Sequence, residues 1–274
     1  MSQCKITAII NQKGGTGKST TTANLGIGLA KQGKRVLLVD ADPQGSLSVS
    51  LGFRDQDALT ETLATVMSAE MEDVDIPVDH GIIHQGEGVD LLPANIELSG
   101  VELGLFNAMS RETVLRTVLN RLRSHYDHIL IDCMPSLGLM TINALSAADS
   151  VIIPTQPNFL SIKGLNLLLK SVSRVRKQIN PKLHIDGILF TMVDSRTNHA
   201  QSVIASMRDA VGGNIRVFQT EIPRSVRVAE AGEAGKSIFA YDKNGKVAQA
   251  YENLTKEVEQ IGKEANRLRT DRLR

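Results

Sequence analysis

An apolar strand-like stretch, Ile6–Ile10, runs without a break into Asn11-Gln12-Lys13-Gly14-Gly15-Thr16-Gly17-Lys18-Ser19-Thr20, and then into a segment of helical period, Ser19–Gln32. No other feature restricts the fold of this chain as tightly. Three glycines let the backbone curl until successive N–H groups point inward, and the start of the following helix adds the positive end of its dipole. Such a concavity binds phosphate. In that arrangement Lys18 reaches the β- and γ-phosphates of a nucleotide, and the Ser19 hydroxyl ligates Mg²⁺. A glycine-rich turn carrying an accidental Lys-Ser has no need of a strand before it and a helix behind it.

The rest of the chain keeps that rhythm. Strand-like runs at Val36–Asp40, Val89–Leu92, Ile129–Asp132, Val151–Pro154 and Ile185–Met192 alternate with helical periods at Arg111–Ser124, Met140–Ala147, Ile162–Gln178 and Ala200–Val211. Continuous apolar strands separated by helices predict an α/β fold, a doubly wound and mostly parallel sheet with helices on both faces. Aromatic residues are only 3% and Trp is absent, so the core is aliphatic. With 42% apolar and 22% charged residues, wholesale disorder is excluded. No internal repeat or low-complexity linker divides the 274 residues, which read as one domain over 1–274. Asp55–Gly88 is acidic and broken, and predicts a surface excursion of short helix and loop. At the other end, residues 246–274 space Val247, Tyr251, Leu254, Val258, Ile261, Ala265 and Leu268 as a helix. That helix then turns basic, with Lys263, Arg267, Arg269, Arg272 and Arg274 against Glu264 and Asp271. Two cysteines, Cys4 and Cys133, supply neither a disulfide framework nor a four-ligand zinc site. No signal pattern or membrane-length apolar run is present, so the expected location is the cytoplasm.

One departure in the loop carries most of the information. Gln12 stands where the pattern GxxxxGK[ST] has its first glycine, and a second lysine, Lys13, sits early. With it, Lys13-Gly14-Gly15-Thr16-Gly17-Lys18-Ser19-Thr20 resembles the deviant Walker A loop of the ParA/MinD superfamily of P-loop ATPases. The resemblance implies ATP and Mg²⁺ as cofactors. It also implies a homodimer formed on ATP binding, in which Lys13 crosses to the partner's nucleotide. There it would act as arginine fingers do, stabilising charge on the transferring phosphoryl group.

Carboxylates complete the candidate site. Val39-Asp40-Ala41-Asp42-Pro43-Gln44 ends the second strand and resembles the family's DxDPQ segment, implying that Asp42 positions the hydrolytic water and Asp40 supports the metal side. A helix-capping turn is the simpler reading of Asp42. Ile129-Leu130-Ile131-Asp132 is an apolar strand ending in aspartate, the Walker B arrangement, and Asp132 would hold Mg²⁺ through water. Cys133 reads as a small buried hydrophobe. Where the family usually has two prolines, this chain has Met134-Pro135.

Later segments point to one branch. Ile222-Pro223-Arg224-Ser225-Val226-Arg227 resembles a family segment that implies Pro223 and Ser225 against the adenine. Leu189–Thr197 resembles the LLTM-x-D-x-RT strand and loop of ParA/Soj proteins. By that likeness Arg196 and Arg227 match arginines that contact DNA phosphates, with Arg224 a nearby candidate; ordinary surface ion pairs are the alternative for them. A net charge of +1 supplies no global field for DNA, so a local, dimer-doubled patch must serve. The expectation is an ATP-dependent partition ATPase, nucleoid-associated, whose dimer binds double-stranded DNA without sequence preference. A ParB-like centromere-binding partner would stimulate hydrolysis and release. No helix-turn-helix precedes the loop, so specific promoter binding is not expected of this chain. Two other classes remain open. One is a MinD-like ATPase positioned on membranes by its C-terminal helix, although Ile261 and Leu268 among many charges make a poor membrane face. The other is a metabolic enzyme that uses the same loop to phosphorylate a small acceptor, as in cobyrinate or dethiobiotin-type synthetases.

Overall fold

The computed structural model describes residues 4–56, 58–211, 213 and 215–271. In chain order the elements are β1 (Lys5–Ile9), α1 (Lys18–Lys31), β2 (Val36–Ala41), α2 (Ser46–Ser50), α3 (Leu63–Met71), β3 (Ile83–Gln85), β4 (Val89–Leu92), α4 (Leu98–Leu105), α5 (Val114–Leu122) and β5 (His128–Cys133). There follow α6 (Leu139–Ala147), β6 (Ser150–Thr155), α7 (Phe159–Gln178), β7 (His184–Val193), α8 (Asn198–Val211), β8 (Val217–Pro223), α9 (Val226–Glu233), α10 (Ile238–Tyr241) and α11 (Lys246–Asp271).

The strands form one sheet in the order β3-β4-β2-β5-β1-β6-β7-β8. Every recorded pairing is parallel except β3 against β4 at one edge. Successive side chains of a strand point to opposite faces, and the core follows that rule. Ile6, Ala8, Leu37, Val39, Ile129 and Ile131 enter the apolar layer shared with α3 to α7. Their neighbours Ile9, Leu38 and Leu130 enter the layer shared with α1 and α11. Each fully buried Ile or Leu contributes roughly 1.5–3 kcal/mol relative to exposure. The expected doubly wound sheet is what the chain forms.

One expectation changes, and two strands form that the sequence does not announce. Asp55–Gly88 is more than a surface excursion: Leu63, Ala64, Val66 and Met67 of α3 lie in the core. The helix starts at a capping box, Thr62 with Thr65, and of the stretch's acidic residues only Glu70 falls within it, in its last turn. Within the same stretch, three-residue β3 is too short to show a period. On the far edge, β8 carries Gln219 and Glu221 between apolar residues, so no continuous apolar run marks it.

The terminal helix α11 buries Val247, Tyr251, Leu254, Val258 and Ile261 as its spacing predicts. Arg272 and Arg274 of the basic end lie outside the described residues, as do the side chains of Ala265, Leu268 and Arg269. Among the described residues, no helix is long and apolar enough to cross a membrane.

Candidate functional site

Strands β2, β5 and β1 lie side by side, and their C-terminal ends open onto the loop that joins β1 to α1. The loop turns on two left-handed glycines, Gly15 at φ 68° and Gly17 at φ 81°. Only glycine adopts such angles without steric cost, and Gly17 is also the cap from which α1 begins. Asn11 steadies the entry: its amide donates to the Pro154 carbonyl (2.7 Å) and its oxygen accepts from Lys13 N (3.0 Å). Gln12 donates to the Gly164 carbonyl at 2.6 Å. The N–H groups of Gly14, Gly15, Thr16 and Gly17 have no protein acceptor among the described residues. A row of free donors at a helix start is an anion site.

Two carbonyls of the loop face the other way. Gln156 Nε2 donates to Gly15 O and Thr191 Oγ1 to Thr16 O, each at 2.8 Å. Sequence reasoning had given neither side chain a task, because no local pattern announces a contact between residues so far apart in the chain.

Lys18 is buried at the start of α1, while Ser19 and Thr20 are half-buried beside it. Lys13 is exposed, and its ammonium has no ion-pair or hydrogen-bond partner among the described residues.

The β2–β5 register sets Asp40 directly opposite Asp132. Strand alternation turns both toward the α1 face. Their environments differ sharply. Asp40 accepts from Ser48 N and Ser48 Oγ, both at 2.8 Å, and from Asp42 N at 3.3 Å. Its carboxylate therefore anchors the 42–48 segment. Burial lifts its pKa from 3.8 to about 7 against those hydrogen bonds. Asp132 is fully buried, and among the described residues no donor stands in hydrogen-bond geometry to either of its oxygens. Burial first, and then the charge of Asp40, push its carboxyl well above the usual range; Ser19 and Lys18 draw it back. Among the described residues no three His, Cys, Asp or Glu form a metal cage of their own. The set suits Mg²⁺, which is commonly held by one or two carboxylates with the substrate's phosphates and water completing its shell. Asp132 and Ser19 are the groups able to hold it.

Asp42 is buried and its Oδ1 accepts from Gln44 N at 3.0 Å, leaving Oδ2 without a partner among the described residues. Cys133 is buried, its thiol pushed up by burial, as expected of an inert small hydrophobe.

Pairing of Val193 with Pro223 brings the ends of β7 and β8 together. Arg196 and Arg224 both act on Asp194. Both Arg196 and Arg227 are exposed, yet each is held by a neighbouring carboxylate, Asp194 at 2.9 Å and Glu230 at 3.0 Å. The Arg196 contact pulls the Asp194 carboxyl down to about 2. Ser225 uses its hydroxyl to cap α9, accepting from Arg227 N at 3.2 Å.

Residues 4–185 match the family model described as AAA domain. The sporulation initiation inhibitor protein Soj of Bacillus subtilis is 44% identical over 254 residues, which are 93% of this chain and 98% of that protein. The chromosome partitioning protein ParA of Caulobacter vibrioides is 42% identical over 265 residues, 96% of each chain. Among solved structures, cobyrinic acid a,c-diamide synthase from Mycobacterium smegmatis, with bound ATP analog and magnesium, superposes with a TM-score of 0.80. It is 36% identical and covers 92% of this chain and 93% of its own.

Proposed function

Because the chain belongs to the Soj and ParA family of chromosome-partitioning ATPases, we propose that it is a nucleotide-gated DNA-partition switch. It hydrolyses ATP to ADP and phosphate with Mg²⁺. The observation that carries the site is the buried, unpartnered Asp132 carboxylate beside Lys18 and Ser19. Such a group is costly to leave alone and is relieved by a cation.

Lys18 and the free N–H groups of Gly14, Gly15, Thr16 and Gly17 hold the phosphates, with Thr20 behind them on the first turn of α1. Ser19 and Asp132 hold Mg²⁺, while Asp40 fixes the segment that carries Asp42. When bound there, Mg²⁺ would supply positive charge against the phosphates. Asp42 orients the attacking water through the oxygen that Gln44 leaves open. Pro223 and the backbone at Ser225 border the base. Lys13, exposed and unpaired, reaches a second copy's phosphates, so that ATP favours a homodimer. For the nucleotide to shift that equilibrium, it must bind the dimer better than the monomer.

Arg196, Arg224 and Arg227 form the DNA surface, doubled by dimerisation. Phosphate contacts of this kind carry no sequence information and weaken steeply with salt. A ParB-like protein stimulates hydrolysis and release. The protein works in the cytoplasm on the nucleoid, as one domain over residues 1–274, with no stable membrane association. In support of the last point, the apolar face of α11 down to Ile261 packs into the core, where a MinD-like membrane helix would need it free.

Asp42→Ala tests the reading. It should trap an ATP-bound dimer that still retains DNA, measured by DNA retention with ATP, ADP and no nucleotide across a salt series. A variant that stays monomeric would remove the water-positioning role. A small-molecule enzyme is the second reading, favoured by the name of the Mycobacterium smegmatis structure. ATP turnover dependent on a small acceptor, and indifferent to DNA, would select it.

A further inference from the structure

The phosphate loop is gripped from behind. In a trans peptide the C=O and the next residue's N–H point in opposite directions, so a carbonyl fixed outward fixes the following N–H inward. Gln156 holds the Gly15 carbonyl and Thr191 holds the Thr16 carbonyl. The N–H groups aimed by these two contacts are those of Thr16 and Gly17. The Thr191 contact is buried: Thr16 is 1% and Thr191 2% exposed.

What lies immediately beyond Thr191 makes the contact more than a convenience of packing. Met192 has φ 53°, in the left-handed region where a non-glycine side chain is held at an energetic cost. Gln156 Nε2 also lies 3.1 Å from Met192 Sδ, so one amide touches both the loop and the strained residue. Next, the Val193 carbonyl accepts from Arg224 N at 3.0 Å, and Asp194 holds Arg196. Four consecutive residues thus join the phosphate loop, a strained backbone turn, and the arginine-bearing ends of β7 and β8.

We propose that Thr191 is a positioning residue that aims the loop's donors at phosphate and, through the left-handed turn at Met192, links the placement of residues 194–197 to phosphate in the loop. The proposal rests on the nucleotide reading of the site given above. Phosphate bound by Thr16 and Gly17 N–H favours the braced peptide geometry. By linkage, whatever favours one placement of residues 194–197 then favours phosphate binding in return.

Thr191→Val removes the hydroxyl and keeps the shape; Thr191→Ser keeps the hydroxyl. Two quantities are read for each: affinity for a slowly hydrolysed ATP analogue with Mg²⁺, and the rate of trypsin cleavage after Arg196 with and without that analogue at saturation. The valine variant should lose roughly three- to tenfold in affinity, the effect of one lost backbone contact, and its cleavage should no longer respond to nucleotide. The serine variant should behave as wild type in both. If the valine variant does not fold, as judged by its melting curve, Gln156→Ala asks the same question at the Gly15 carbonyl with the same expected losses.

A folded valine variant with wild-type affinity and wild-type cleavage response would overturn the proposal while leaving the site intact. Lost affinity with an unchanged cleavage response would overturn the link to residues 194–197. If wild-type protein itself failed to bind the analogue, the nucleotide reading would fall and this proposal with it.

Discussion

Asp40 and Asp132 sit opposite one another across β2 and β5, yet only Asp40 has its oxygens satisfied by the protein. Two carboxylates of like sequence setting therefore do different work. One closes a turn; the oxygens of the other have no hydrogen-bond partner among the described residues.

Exchange at the two positions should separate stability from chemistry. Asp132→Asn removes a buried carboxyl that Ser19 and Lys18 only partly offset, so nucleotide-free protein should be no less stable than wild type, while Mg²⁺-dependent turnover falls by roughly a hundredfold or more. Asp40→Ala strands the Ser48 N–H and hydroxyl and should cost about 1–3 kcal/mol. Urea unfolding of both variants beside an ATPase assay decides; a destabilised Asp132→Asn would contradict the assignment.

Lys13 and Lys18 should differ in the same spirit. Lys18→Ala removes the cation buried at the head of α1, and nucleotide binding or hydrolysis should be abolished. Lys13→Ala removes an exposed cation with no partner among the described residues, so monomeric binding persists while ATP-dependent dimerisation and turnover fail. Nucleotide titration paired with sedimentation velocity distinguishes them. Equal loss of binding in both variants would remove the case for action on a second copy.

The ion pairs on the arginines predict an unusual gain. With Asp194 neutralised as Asp194→Asn, Arg196 is released from its carboxylate, and DNA affinity in the ATP state should rise at every salt concentration. Arg227→Ala should weaken binding evenly across sequences and flatten the salt dependence by about one unit of log–log slope per protomer. Filter retention over a salt series reads both. If Asp194→Asn leaves affinity unchanged, Arg196 is an ordinary surface pair.

Acid sensitivity should arise far from the site. Glu259 accepts from His128 Nε2 and pairs with Lys34, each at 3.0 Å. The His128 contact, opposed by burial and aided by Lys34, carries its carboxyl from 4.5 to about 2. A carboxyl depressed on folding stabilises above its unfolded pKa, and that contribution is lost as pH falls through the folded value. Stability should therefore decline between pH 4.5 and about 2. Glu259→Gln should make that decline shallower in urea titrations at stepped pH; an identical slope would exclude this pair as a contributor.

The sequence alone determined the phosphate cradle and the strand-end aspartates, because both are contiguous. The cradle is built from backbone groups of neighbouring residues, and Asp132 is placed by the apolar strand that directly precedes it. It also determined the layering of the sheet, since continuous apolar strands must be covered on both faces. Strand order was decided only in the tertiary structure, and with it every relationship between distant segments. Asp40 became an anchor because Ser48 folds back on it. Arg224 came to act on Asp194 because the ends of β7 and β8 lie together. The grip of Gln156 and Thr191 on the phosphate loop spans 141 and 175 residues of chain. Such contacts leave no local period or spacing to read, for they exist only once β6 has paired with β1 and β7 with β6.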